Sequence, residues 1–325
     1  MQIKELGGEF ALIKKLANIV PSQGKDVLVS IGDDAAVIRS PNNKNQLLLI
    51  TTDILVAGEH FNKSWSKPEQ IGIKAIECNV SDIAAMGGLP TYLVISLVIP
   101  PSTSVEWCEK LYRGFAQSCN SYGITIVGGD TTEGSVETIN ITLLGNVITK
   151  NLCLRSHAKP GDILAVTGQL GASAAGLNLL KNKLPLTPYL GKKHLTPKCR
   201  LDTALKFAPL VNAMIDISDG LASEVNHICN NSNVGAYINE NDIPLHDDVL
   251  RAGRILNKKA IEFALNGGED LELLFSFSTS DMEKLNKAGV KFYPVGKITK
   301  PGEGRFLITD KNRQIPLLGG FKHFG

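Results

Sequence analysis

The chain has 325 residues, of which 43% are hydrophobic and 20% charged, and its net charge is +2. This is the balance of a globular protein with room for two domains. No block of Lys and Arg indicates a nucleic acid or membrane-surface partner. The six cysteines form no CxxC pair and the histidines no HExxH motif, which argues against a zinc site.

The N-terminal segment MQIKELGGEF lacks the basic and apolar regions of a signal peptide. No apolar run approaches the roughly 18 residues that a membrane span needs. We therefore expect a cytoplasmic protein whose cysteines are mostly buried thiols.

The first half of the chain predicts alternating helices and strands. Residues 9–20 and Pro68–Met86 carry apolar residues at helical spacing, with Pro68 in the first turn and Gly87-Gly88 at the end. A further helix is predicted over Ser104–Tyr122. Strands are predicted over Val27–Ile31, Leu47–Thr51, Tyr92–Ile99, Ile124–Val127 and Ile139–Ile148.

The second half begins after a boundary predicted near residue 150, with a turn at 159–162 and a strand over Ile163–Thr167. Further helices are predicted over 172–182, 198–208, 221–231 and 281–288, strands over 213–217, 234–238, 271–277 and 292–298, and a hairpin over 304–318. Because neither half shows a strict βαβ alternation, we predict an α+β fold rather than a doubly wound parallel sheet.

One local pattern recurs through both halves: an apolar run reaches a small residue and then an aspartate. The instances end at Asp34, Asp53, Asp82, Asp130 and Asp219. Each aspartate alone is more often a turn former or a helix cap, but the ends of elements are also where a scaffold presents functional groups. Asp33 and Asp34 remain alternatives, since one could bind a metal while the other caps a turn.

Carboxylates that converge in this way repel one another by roughly 4 kcal/mol per pair at 4 Å and an effective dielectric of 20. Divalent cations remove that repulsion, and an all-oxygen set that includes Thr51, Thr52 and Ser218 suits Mg²⁺. Such a set suggests phosphoryl chemistry. If the acceptor is itself a phosphate, no side-chain nucleophile or general base is needed, and the protein holds two anionic partners in line.

The P-loop and the H-R-D and D-F-G elements of protein kinases are missing. Other motifs run in order almost from end to end: GEF (8–10), IGDDAAV (31–37), TTDILVAGEHF (51–61), NVSDIAAMGG (79–88), VGGDTT (127–132), RSHAKPGD (155–162), IDISDGL (215–221), NGGEDLEL (266–273) and GGFKHFG (319–325). By these motifs the sequence resembles the thiamine-monophosphate kinases, whose superfamily also holds aminoimidazole ribonucleotide synthetase and selenophosphate synthetase.

The resemblance implies an enzyme that transfers the γ-phosphate of ATP to thiamine monophosphate with several Mg²⁺ ions, giving thiamine diphosphate. It implies metal contacts at Asp34, Thr51, Thr52, Asp53, Asp82, Asp130, Asp216 and Asp219. It implies nucleotide contacts at Tyr112, Gly129, Asp130, Arg155 and Ser218, and substrate contacts at His60, Glu269 and Phe321. It also implies a homodimer formed through a metal- and ATP-binding domain (1–150), with a C-terminal α+β domain (151–325) completing the site.

Two other interpretations stay open at this point. A member of the same superfamily could phosphorylate a different acceptor, although the reactive N-terminal Cys typical of selenophosphate synthetases is missing, since Cys78 is the first cysteine. The chain could also be a metal- and nucleotide-binding sensor without turnover. The intact set of metal ligands argues against such a sensor.

Overall fold

The computed structural model describes residue 5 and residues 9–20, 24–41 and 43–320, and these residues form two mixed β-sheets that both carry helices. The predicted α+β class is confirmed. GEF (8–10) lies partly, and Phe321 entirely, outside the described residues. None of the helices within the described ranges is long and apolar enough to cross a membrane.

The first sheet has the strand order β1-β2-β3-β6-β4-β5. Its strands are β1 (Val27–Val29), β2 (Ala36–Arg39), β3 (Gln46–Val56), β4 (Leu89–Ile99), β5 (Thr125–Glu133) and β6 (Thr138–Ile148). Strands β4 and β5 pair in parallel and the other neighbours are antiparallel. Helix α1 (Glu9–Ala17) precedes the sheet.

Two helices, α2 (Pro68–Ala85) and α3 (Val105–Tyr122), pack side by side. A Cβ on Gly72 would come within 2.3 Å of the Leu111 carbonyl oxygen, so glycine is required for this close approach. Helix α2 begins at Pro68, which fits its first turn, and Gly87 at φ 72° follows its C-terminal cap. Its buried face covers β3, β4 and β6.

The second sheet has the order β13-β12-β9-β11-β7-β10-β8, antiparallel except for the β9–β12 pair. Its strands are β7 (Ile163–Val166), β8 (Ala213–Asp216), β9 (Gly235–Asn239), β10 (Leu273–Phe277), β11 (Tyr293–Thr299), β12 (Arg305–Ile308) and β13 (Gln314–Pro316). Its helices are α4 (Ala172–Lys181), α5 (Pro188–Leu195), α6 (Leu201–Phe207), α7 (Leu221–Ser232), α8 (Asp247–Ile255), α9 (Ala260–Asn266) and α10 (Met282–Lys287).

Helix α2 also joins the two halves, because it contacts α6 and β8 of the second half. One apolar core accordingly contains Ile83 and Phe115 from the first half together with Phe207 and Phe275 from the second. Burial of this shared apolar surface holds the halves in a fixed relation. The C-terminal part of α2 therefore lies between the two sheets, where residues of both can meet.

The sequence patterns did not predict β2 or the helices α5, α8 and α9. For two other strands, they placed the C-terminal end too early in the chain. Strand β3 continues to Val56 and β5 continues through the Gly-Gly-Asp-Thr-Thr motif to Glu133. The paired glycines suggested a turn, but Gly129 remains in register with Ile95 of β4. A Cβ there would lie 1.9 Å from the Ile95 carbonyl oxygen, so the close pairing itself requires the glycine.

The predicted division at residue 150 stays a prediction. The last strand of the first sheet ends at Ile148, and the first strand of the second sheet begins at Ile163. Two short 3₁₀ turns, Thr149–Asn151 and Arg155–His157, lie between them.

Candidate active site

Three carboxylates meet between the two sheets: those of Asp34, Asp82 and Asp216. One oxygen of each lies within 4.8 Å of the others. Asp34 follows β1, Asp82 is on the last turns of α2, and Asp216 ends β8, so the cluster combines both halves of the chain. We call these three residues the acidic cluster.

Hydroxyl groups orient two members of the cluster. The Thr51 hydroxyl on β3 donates to Asp82 Oδ2 at 2.5 Å, and the Ser81 hydroxyl donates to Asp216 Oδ2 at 2.6 Å. Asp216 is only 2% exposed. Each carboxylate is therefore held by one donor, which leaves its remaining lone pairs for a cation.

Burial and mutual repulsion raise the pKa values in this region. The pKa of Asp82 lies well above 3.8 because of burial and the charges of Asp53, Asp216 and Asp34. Burial, and then the charge of Asp34, raises the pKa of Asp216 to about 8. Burial, and then the charge of Asp219 from the second half, raises the pKa of Asp53 to about 6.

Arg155 lies beside the cluster. Its Nη2 is 2.5 Å from Asp34 Oδ1, its Nε is 3.5 Å from Asp33 Oδ1, and its backbone N–H donates to Asp33 Oδ2 at 3.2 Å. The pKa of Asp33 nevertheless rises to about 7, because burial and the charge of Asp34 outweigh Arg155. Arg155, for which the resemblance implies a nucleotide contact, thus offers one guanidinium to an otherwise acidic site.

The loop before α7 brings further acidic groups toward the cluster. The Asp219 backbone N–H donates to Glu224 Oε1 at 2.9 Å, and Glu224 is 2% exposed. Burial and the charges of Asp219 and Asp216 raise the pKa of Glu224 well above 4.5. The sequence analysis missed Glu224, although an acidic residue in the first turn of a helix that follows Ser218-Asp219-Gly220 was a usable signal.

A second group of polar residues adjoins the loop 266–272. Glu269 has a left-handed backbone conformation with φ 66°, and its N–H donates to the Ser218 carbonyl oxygen at 2.8 Å. Its carboxylate is 2.6 Å from Lys74 Nζ on α2. Lys74 Nζ also donates to the His60 carbonyl oxygen at 3.0 Å, so the predicted substrate contacts His60 and Glu269 share a lysine.

His60 is held by the end of β3. Its Nδ1 accepts from the Val56 backbone N–H at 3.1 Å, which places the proton of a neutral ring on Nε2. The sequence analysis named His60 and Glu269 but missed Lys74. A lysine among the apolar residues of IGIKAIECNV, on a buried helix face, was the signal.

Not every predicted metal contact points to the acidic cluster. Thr51 faces α2, whereas the Thr52 hydroxyl donates to the Ile141 carbonyl oxygen at 3.0 Å and lies 3.2 Å from the Thr142 hydroxyl. Successive side chains of a strand point to opposite faces. The Thr52 hydroxyl is therefore on the face of the first sheet that turns away from α2, which we call the open face.

Asp130 also belongs to the open face. The strand register aligns Ile54 with Asn140, Asn140 with Ser96, and Ser96 with Asp130. Residues aligned in this way share a face, and Asn140 bonds the Thr52 hydroxyl on the open face. The exposed Asp130 on the edge strand β5 is thus three strands away from β3 and on the other face from the cluster.

Two predicted nucleotide contacts also lie away from the cluster residues. Gly129 is on β5 next to Asp130, and the Tyr112 ring packs edge-on against Phe115 on α3 at a centroid distance of 5.2 Å. Tyr112 is 43% exposed. Within one copy of the described chain, Thr52, Gly129, Asp130 and Tyr112 therefore lie apart from the acidic cluster.

Known proteins resemble the chain over its full length. Two family models match it: AIR synthase related protein, N-terminal domain, over residues 32–147, and the corresponding C-terminal domain over residues 159–308. The thiamine-monophosphate kinase of Buchnera aphidicola subsp. Schizaphis graminum is 39% identical over 325 residues, covering 97% of this chain and 98% of the relative. That of Aquifex aeolicus is 37% identical over 328 residues and covers 100% of both chains.

Among solved structures, AaThiL complexed with AMPPCP and TMP superposes with a TM-score of 0.87 at 34% identity, covering 99% of each chain. At this identity and coverage, the shared architecture extends over both sheets.

Proposed function

The chain belongs to the thiamine-monophosphate kinases of the AIR synthase related family, and we propose that it transfers the γ-phosphate of ATP to thiamine monophosphate. The products are thiamine diphosphate and ADP. The observation that carries this proposal is the convergence of Asp34, Asp82 and Asp216 from three distant segments. The stability of the fold alone would not require three mutually repelling carboxylates at one buried point.

The donor set of the cluster fits magnesium. Its carboxylate oxygens are hard ligands, and the raised pKa values of Asp82 and Asp216 indicate a site whose negative charge is not balanced by protein groups. We propose that the acidic cluster, with Asp53 and Asp219, holds several Mg²⁺ ions. When bound, these ions would neutralise the phosphate oxygens of donor and acceptor.

The chain's own groups then serve to position the reactants. The acceptor oxygen of thiamine monophosphate is already anionic, so the new bond to the γ-phosphorus can form as the bond to ADP breaks, without a side-chain base. We assign Arg155 and Ser218 to the nucleotide, and His60 and Glu269 to the thiamine end. The cleft between the halves limits water access to the reacting phosphates.

We further propose that the enzyme works as a homodimer in which the open face of the first sheet meets a second copy. This face carries Ile54 and Tyr92, which are 52% and 53% exposed, and such apolar surface favours association. The edge strand β5 also offers unpaired backbone groups. In such a dimer Asp130, Gly129 and Thr52 of one copy would complete the site at the acidic cluster of the other.

In this scheme residues 1–150 bind metal and ATP and form the dimer, and residues 151–325 complete the ATP and substrate site. The expected cytoplasmic location stays a prediction.

The test is direct. Purified protein with ATP, Mg²⁺ and thiamine monophosphate should form thiamine diphosphate and ADP in equal amounts, and EDTA should stop the reaction until Mg²⁺ is restored. Thiamine without its phosphate serves as the control acceptor and should give no product. Absence of thiamine diphosphate with a well-folded dimer would reject the proposal. Release of ADP with another acceptor would instead assign the chain a different reaction of the superfamily.

A further inference from the structure

A partly buried ion pair joins the two halves. Lys74 on α2 belongs to the first half and Glu269 to the second, and the Lys74 side chain is only 4% exposed. Its ammonium has two acceptors, Glu269 Oε1 at 2.6 Å and the His60 carbonyl oxygen at 3.0 Å. One cation thus contacts both residues that we assign to the thiamine substrate.

A lysine at this position would lower the stability of the fold if it had no partners. Its neighbours Ile71 and Ala75 on α2 are 1% and 0% exposed, so the helix face is part of the core. A buried ammonium is tolerated only when it is paired and hydrogen-bonded. The His60 carbonyl fixes the ammonium from one side, which leaves its charge directed at the Glu269 carboxylate.

The second neighbour of Glu269 does not replace this cation. His194 Nδ1 lies 3.7 Å from Glu269 Oε2 and 3.1 Å from the Ser173 hydroxyl, and the His194 side chain is 4% exposed. Burial, and then the charge of Lys74, lower the pKa of His194 to about 4, so its ring is neutral at pH 7. Lys74 is therefore the full positive charge in contact with Glu269 among the described residues.

The position of the Glu269 carboxylate is in turn fixed by the backbone conformation of Glu269. Glu269 has φ 66°, a left-handed conformation that is strained for a non-glycine residue and that clusters at functional sites. Burial acts to raise the pKa of Glu269, but the charge of Lys74 opposes it, with a smaller effect from the His194 ring at the low pH where that ring is protonated, and the pKa lies below 4.5. One carboxylate oxygen thus lies on Lys74 and the other faces the His194 ring, and the Glu269 side chain remains 26% exposed, which leaves part of it accessible to a ligand.

We propose that Lys74 is a positioning residue for the acceptor substrate, acting through Glu269, whose carboxylate it orients toward the cationic, hydrogen-bond-donating rings of thiamine monophosphate. This inference rests on the proposed function. A residue with this role affects binding of the acceptor and leaves the ATP end of the site unchanged. A merely structural ion pair would change stability alone.

The experiment compares Lys74→Met with Arg200→Met in the full-length enzyme. Arg200 is the control, because its guanidinium binds a carboxylate outside the proposed substrate contacts, that of the buried Glu272, at 2.5 and 2.6 Å, where Lys193 provides a second cation at 2.8 Å. Steady-state kinetics give KM for thiamine monophosphate, KM for ATP and kcat, and calorimetry gives the Kd for thiamine monophosphate. Melting temperatures report the loss of each ion pair.

We expect Lys74→Met to raise KM and Kd for thiamine monophosphate about tenfold or more, the equivalent of one charge-assisted hydrogen bond. KM for ATP should stay within about twofold. Arg200→Met should lower the melting temperature but leave KM for thiamine monophosphate within about twofold. Equal effects of the two variants on KM, or an unchanged KM in folded Lys74→Met, would overturn the assignment.

If Lys74→Met does not fold, the double variant Lys74→Met/Glu269→Gln removes both charges and leaves none unpaired. Its KM for thiamine monophosphate should match that of Glu269→Gln within about twofold, since Lys74 acts through Glu269. A further tenfold rise in the double variant would refute that route. Wild-type enzyme in the same assay separates the proposals: no thiamine diphosphate from it defeats the proposed function, whereas normal turnover with unaffected variants defeats only the role of Lys74.

Discussion

Replacing Asp216 by asparagine should stabilise the metal-free protein while it abolishes turnover. The buried Asp216 carboxylate accepts one hydrogen bond, from Ser81, and faces the charge of Asp34. An asparagine oxygen can still accept that bond, and the repulsion disappears. The substitution therefore separates the effect of the acidic cluster on stability from its effect on turnover.

The magnitude follows from the pKa of Asp216, which is about 8 in the fold against an ordinary value of 3.8. Because the folded value is the higher one, this group lowers stability progressively as pH rises from about 4 to about 8, by roughly 1.4 kcal/mol per pH unit. At pH 7 Asp216 lowers the free energy of unfolding by at most about 4 kcal/mol, since neighbouring carboxylates share the same repulsion. Below about pH 4 the contribution disappears.

Urea denaturation in EDTA at pH 5 and at pH 8 measures this effect. We expect Asp216→Asn to be more stable than the wild type at pH 8 by a few kcal/mol, with a smaller difference at pH 5, and to gain less stability from Mg²⁺. Asp162→Asn is the matched control, because that buried carboxylate accepts from the Lys159 N–H, the Asn212 amide and the Ser276 hydroxyl. It should lose stability at both pH values.

Two outcomes would contradict this prediction for Asp216→Asn. If Asp216→Asn is less stable than the wild type in EDTA at pH 8, the cluster is not under electrostatic strain. If Mg²⁺ stabilises the variant as much as the wild type, the cation does not bind where we place it.

Three further predictions concern turnover. Asp130→Asn should reduce kcat by at least about 100-fold without lowering the melting temperature, because the exposed side chain is not part of the core; full activity would contradict its role. Mixing inactive Asp34→Asn and Asp130→Asn chains after dissociation should restore about a quarter of wild-type activity, since half of the dimers would then hold one intact site; no recovery in verified mixed dimers would rule out a shared site. His60→Ala should raise KM for thiamine monophosphate more than KM for ATP, and steady-state kinetics showing the reverse order would remove His60 from the substrate end.

Much of the candidate site could be read from the sequence because its aspartates follow apolar runs. The patterns that end at Asp34 and Asp82, together with the Asp216 implied by the resemblance, point to three residues that the fold brings within 4.8 Å of each other. The resemblance to thiamine-monophosphate kinases is likewise confirmed by full-length relatives.

The remainder depends on which face of a strand a residue occupies and on contacts between distant segments. Thr51 and Thr52 are adjacent in the sequence, yet only Thr51 bonds a member of the cluster, Asp82. Lys74 reads as an ordinary helix lysine until Glu269, nearly two hundred residues later, is placed against it. Strand register and pairing between halves fix these relations, and neither is written in a local window of sequence.

The central claim is that acidic side chains from both halves gather around shared cations that join donor and acceptor. A crystal structure with Mn²⁺ in place of Mg²⁺, a non-hydrolysable ATP analogue and thiamine monophosphate tests it most directly through the anomalous signal of manganese. We expect manganese peaks within about 2.3 Å of oxygens of Asp34, Asp82 and Asp216, between the nucleotide and the acceptor phosphate. Peaks elsewhere, with these three carboxylates unliganded, would contradict the account.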